Sequence, residues 1–214
     1  MKQSLFFFLF FMFSVGYGQN KAQLTLSGEY SRTDSIQATK AYLNARLAVS
    51  SMQAAMDEIW QVSNTGVNQS RKEIRRTKWN ETARFVTWMG APDHMRMVKR
   101  KINRLFNKFN KNVSLVVTKQ NKGRCRGWIS AWAIPHGNVR IVLCEDYFIY
   151  RTYLQDKILI HEMGHEIGMF SHLRIHGCRA ARRAAASRRS VHAKKSPENY
   201  AWLAMSFLGL NCGH

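Results

Sequence analysis

Apolar residues between positions 35 and 62 recur mostly at intervals of three and four, through Ala38, Ala41, Tyr42, Ala45, Leu47, Ala48, Met52, Ala55, Met56 and Ile59. That spacing predicts a long amphipathic helix, with Ser35 as its N-cap behind Asp34. Asn64-Thr65-Gly66 breaks the pattern. A second, basic helix is predicted over residues 70–79, and Trp88-Met89-Gly90-Ala91-Pro92 marks a turn. Asp93 is placed to cap a third helix that carries Met97, Val98, Ile102, Leu105, Phe106 and Phe109.

The period then changes. After Asn110-Lys111-Asn112, the β-branched run over residues 113–118 predicts a strand. A polar loop through Gly123 leads to two more strands, at 128–134 and 139–143, joined by a Pro135-His136-Gly137-Asn138 turn. Residues 151–170 contain no proline, and Ile158, Leu159 and Ile160 suit a helix built to be buried. Residues 179–195, rich in Ala, Arg and Lys, predict a further helix with a solvated charged face. Helices, a small sheet and more helices make an α+β domain.

At the N-terminus, Lys2, an apolar run over residues 5–15 and the small residues Gly16 and Gly18 have the form of a signal peptide, assigned to residues 1–19. The run is too short for a comfortable span, so no stable membrane insertion is expected. The mature chain is expected to be secreted, extracellular or periplasmic, and monomeric. Cys125, Cys144, Cys178 and Cys212 suit an oxidising compartment. Three pairings are open to them; the expected one joins Cys125 to Cys144, clamping a strand pair, and Cys178 to Cys212. No CxxC spacing supports a cysteine zinc site.

Charge adds a second theme. The 33 Lys and Arg against 13 Asp and Glu give a formal net charge of +20. This favours adhesion to an anionic polymer such as a cell-wall polymer or nucleic acid, or simply a solvated basic surface.

The chemistry concentrates in His161-Glu162-Met163-Gly164-His165. On a helix, histidines four apart share a face and can hold one catalytic zinc ion, while the glutamate beside them serves as general base and then acid. Buried unpaired, the same residues would be costly. The expected function is a secreted zinc metalloendopeptidase acting on a protein or peptide substrate. Catalytic zinc takes a third protein ligand. Gly168 stands where HExxHxxGxxH enzymes place a glycine, but Ser171 falls at their third histidine and His172 comes one position late. His172 and His176 are the candidates.

The wider pattern resembles the aspzincins, the zincin group that includes deuterolysin and the peptidyl-Lys metalloendopeptidases. Arg84-Phe85-Val86-Thr87-Trp88-Met89-Gly90 looks like their aromatic segment, and Cys125 with Ile141-Val142-Leu143-Cys144-Glu145-Asp146-Tyr147-Phe148 like their paired cysteines and strand-to-loop element. Ile158-Leu159-Ile160-His161-Glu162-Met163-Gly164-His165 is similar to their zinc helix, and Ser196-Pro197-Glu198-Asn199-Tyr200-Ala201-Trp202-Leu203 to the segment opening their last helix. The resemblance implies a zincin-like catalytic domain over residues 76–214, with the helical region 20–75 either a propeptide or part of that domain. It departs at Phe170-Ser171-His172-Leu173-Arg174-Ile175-His176-Gly177, where Leu173 takes the place of the aspartate ligand of Gly-Thr-x-Asp-x-x-Tyr-Gly. His172 is then the substitute ligand, and His176 takes the place of the tyrosine, where a protonated imidazole would stabilise an oxyanion. Glu198 matches the acidic residue that favours lysine after the scissile bond, which implies a preference for Lys or Arg; otherwise it only favours a helix N-terminus. Two other functions stay open: hydrolysis of cell-wall peptide crosslinks, and a cationic binding protein or toxin on a degenerate peptidase fold.

Overall fold

The computed structural model describes residues 23–28, 30–61, 70–118, 125, 129–134, 139–169, 175–187 and 190–212. The expected signal peptide, the break at 64–66, the 135–138 turn, Trp128 and His172 lie outside them.

A short strand, β1 (Leu24–Gly28), precedes the long helix α1 (Arg32–Trp60). The helix starts earlier than expected. Ser31 accepts from the backbone N–H of Asp34 and Asp34 returns the bond, a reciprocal box that satisfies two free amide donors and displaces Ser35 as the cap. The periodic face of α1 is buried from Ala38 to Ile59, although Leu47, expected on it, is exposed. Helix α2 (Arg71–Glu81) also starts on a capping box, Ser70 with Glu73. At Thr82 the chain bends directly into α3 (Ala83–Met89). Gly90 ends α3 at φ +71°, where a Cβ would strike the Ala185 carbonyl, and its own carbonyl accepts from the Trp79 indole at 2.9 Å. Helix α4 (Met95–Phe109) begins at His94, not Asp93, in the left-handed region with φ 55° and no side-chain cap.

The sheet comprises β1, β2 (Val113–Thr118), β3 (Ala131–Ile134) and β4 (Val139–Cys144), in the order β1-β2-β4-β3. The β1–β2 and β2–β4 pairs are parallel, and β3–β4 is the expected antiparallel hairpin. Val113, Leu115 and Val117 alternate into the main core, as the two-residue period of a half-buried strand requires. On the other face, the Cys125–Cys144 disulfide packs with Val142, Ile129, Trp132 and Ile134. A second disulfide joins Cys178 to Cys212.

Helix α5 (Thr152–Glu166) buries Leu159, Ile160 and Met163 and packs on α1, on β3 and on α7 (Pro197–Phe207). Between α5 and α7 lies α6 (Cys178–Ala186), which covers only the first part of the basic stretch expected to be helical; a tight 3-10 turn at Ala193–Lys195 precedes α7. Pro197 sits at the first helical position of α7, where no N–H is needed. Apart from its last residue, α7 is buried on every side. The fold is α+β, with seven α-helices and one small sheet among the described residues. No described helix is long and apolar enough to cross a membrane.

Candidate metal centre

Helix α5 ends in a way that builds the site. Gly168 takes φ +77°, its N–H bonds the His165 carbonyl, and the Met169 N–H bonds the Gly164 carbonyl, the paired closure typical of a left-handed helix stop. The turn carries the Met169 carbonyl back under His165, where it accepts from Nδ1 at 2.8 Å. One turn earlier, His161 Nδ1 lies 2.7 Å from Glu198 Oε2 in the first turn of α7.

These two partners set the tautomers. A carbonyl and an ionised carboxylate can only accept, so both Nδ1 atoms carry the proton. Burial lowers the pKa of His161 against the raising effect of Glu198, and lowers that of His165 against its bond to Met169. Both rings are therefore neutral near pH 7, and their Nε2 lone pairs face each other across 3.2 Å. Two nitrogens bound to one zinc at about 2.0–2.1 Å with a tetrahedral angle lie roughly 3.3–3.4 Å apart. The pair thus fits a shared cation, which would relieve the repulsion between the lone pairs. His161, Glu162 and His165 form the cluster able to hold a metal among the described residues, with one ligand atom of each within 4.8 Å of the others.

Glu162 points toward the sheet. Its Oε2 accepts from the Ala133 N–H of β3 at 3.0 Å. Burial pushes its pKa up to about 8, against the opposing pull of that N–H and of Lys157.

Glu198, expected in the pocket for the residue after the scissile bond, is 1% exposed. Its oxygens accept from Lys157 Nζ at 2.9 and 3.0 Å, Gly177 N–H at 2.9 Å and the Trp202 indole at 3.0 Å, besides meeting His161. Burial alone would raise its pKa, but the bond from His161 and the charge of Lys157 outweigh that and hold the carboxyl well below the usual range. No signal in the local sequence marked Lys157, one turn before His161, as a partner of Glu198.

His176 is exposed at the rim, its ring centroid 6.3 Å from that of His161. His172 belongs to residues 170–174, outside the description, but both flanks of that stretch are anchored at the site. Met169 bonds His165 on one side, and Gly177 bonds Glu198 on the other.

No protein-family model and no curated protein matches the chain. Among solved structures it is similar to a zinc peptidase from Grifola frondosa, with a TM-score of 0.56 and 16% identity over 82% of this chain and 96% of that one. The likeness is one of fold.

Proposed function

We propose that the chain is a secreted zinc metalloendopeptidase. The observation that carries this reading is the pair of Nε2 atoms turned toward one point, each fixed from behind through Nδ1, with Glu162 on the same helix turn. The fold shared with a zinc peptidase supports it.

In this reading His161 and His165 hold the metal with His172, which lies between Met169, bonded to His165, and Gly177, bonded to Glu198. Zinc, when bound, would polarise the scissile carbonyl and acidify water at neutral pH. In its ionised form Glu162 would accept the proton of the attacking water and pass it to the departing amine. The edge strand β3 offers backbone groups to an extended peptide, with the Ala133 N–H holding Glu162 toward it. His176 lies at the rim, where a protonated ring would stabilise the developing oxyanion. Glu198 is a positioning residue. It orients His161 and, with its lone pairs taken, gives no preference for Lys or Arg after the scissile bond. The packing of α1 on α4, α5 and α7 and its core residues support the reading in which the N-terminal helical region is part of the catalytic domain.

The test is zinc content of the purified mature protein together with casein cleavage before and after chelation. One zinc per chain and cleavage lost on chelation are expected; cleavage indifferent to chelators would overturn the assignment. His172→Ala should lose zinc, whereas His176→Ala should keep it and slow turnover. The reverse pattern would exchange their roles.

A further inference from the structure

Outside this site, α2 and α4 turn cationic edges toward one cleft of about 660 Å³. Lys72, Arg75 and Arg76 are three or four residues apart on α2, and Arg96 and Arg100 are four apart on α4, so each set shares a helix face. None of these five cations forms a salt bridge among the described residues. Asp93 is the one carboxylate that lines the cleft. Glu73, nearby on α2, is engaged by the backbone and hydroxyl of Ser70. At the α4 end, the first turn has no acidic residue and His94 offers no side-chain cap, so free amide donors and the positive end of the helix dipole add to the field.

Five like charges gathered in a concavity with one lining carboxylate, Asp93, and Glu73 beside Lys72 and Arg76, leave an excess of positive charge that favours an anionic partner. The two arginines on each helix add planar forks that bond tetrahedral oxyanions through paired N–H groups. The lining holds little to receive a base. Besides the His94 imidazole its aromatic ring is Trp60, already approached by the Arg75 guanidinium at 4.7 Å and the Lys99 ammonium at 4.9 Å, whereas single-stranded nucleic acid is held by stacking on successive free aromatic faces. Two disulfides suit the oxidising space where extracellular glycans occur.

We propose that the α2/α4 cleft binds a linear polysaccharide carrying sulfate esters. Such binding goes beyond the peptidase reading and does not depend on it.

The test is titration of the full chain with a fluorescently labelled heparin hexasaccharide in low salt, repeated over a salt series. Saturable binding is expected, with log K falling against log salt at a slope of about −3 to −5 as phosphate-type counterion release would give. Arg76→Glu with Arg100→Glu should weaken binding at least tenfold. Lys111→Glu with Arg140→Glu, the same charge change outside the cleft, should weaken it less than twofold. Arg76→Gln with Arg100→Gln, expected to weaken binding fivefold or more, decides the matter if the reversal variant fails to fold. Desulfated heparin should not compete. Equal loss in the cleft and control variants would overturn the site, and competition by an oligothymidylate at the same charge concentration as heparin would overturn the ligand class.

Discussion

The candidate metal centre and the α2/α4 cleft both gather charge, and they do so in opposite ways. At the centre, Glu198 meets His161, Lys157, Gly177 and Trp202 inside the protein, and each histidine has its Nδ1 partner. In the cleft, five cations share one carboxylate. Groups saturated internally are organised for chemistry at a fixed point, because their orientation is set before any ligand arrives. Groups left unpaired in water carry little folding energy and keep their charge for a partner.

The sharpest way to break this contrast is to remove the hub. Glu198→Ala leaves the Lys157 ammonium, only 13% exposed, and His161 Nδ1 without their acceptor. Truncating one side of a buried ion pair costs about 3–5 kcal/mol. Loss of a carboxylate behind a metal-binding histidine costs roughly 10–100-fold in metal affinity. Urea unfolding and competitive zinc titration should register both losses. Arg100→Ala in the cleft should change unfolding free energy by less than about 0.5 kcal/mol. Equal effects at the two positions would erase the distinction.

The next test concerns how closely α7 must approach. A Cβ on Gly164, inside the histidine motif, would lie 2.7 Å from Pro197 Cβ, next to Glu198. Gly164→Ala must therefore push α5 and α7 apart at the point where the carboxylate reaches His161. A better intrinsic helix former would otherwise stabilise by up to about 1 kcal/mol; here overpacking is expected to give a net loss of about 2 kcal/mol. A melting temperature above that of the unaltered chain would show that the helices are not in contact there.

These two positions also show what the residue pattern reveals. The histidine helix was legible because its chemistry lies within five residues, the antiparallel β3–β4 pair followed from local alternation, and the two disulfides are the expected one of three open pairings. The hub was not legible as one, since Glu198 reaches partners 37 and 41 residues away and Lys157 carries no motif. Strand β1 was missed because Leu24-Thr25-Leu26-Ser27-Gly28 is short and mostly exposed, and is held by parallel pairing with a strand far along the chain. The start of α1 was a different failure. Ser31 and Asp34 have the spacing of a capping box, but the apolar period drew the boundary four residues late.

The smallest effect comes from an exception within the saturated half. Asp156, on α5 one turn before Ile160, is 3% exposed, with one oxygen 3.2 Å from Asn44 Nδ2 and the other buried without a hydrogen-bond partner. Burial raises its pKa from 3.8 to about 6, against the weaker pull of Asn44 and Lys40. With the folded-state pKa above the unfolded one, the group favours folding fully below about pH 4, and that contribution is lost as pH rises through about 6. Above pH 7 the native state therefore holds a charge it disfavours. Asp156→Asn keeps an acceptor for Asn44 and removes that charge. Two pKa units set a ceiling near 3 kcal/mol, and local relaxation around the ionised group reduces the expected gain to about 1–2 kcal/mol at pH 8. Paired melts of the two proteins from pH 4 to pH 8 should diverge as pH rises and converge at pH 4. A constant offset would attribute the gain to packing, and no offset at any pH would place Asp156 among the satisfied groups of the centre.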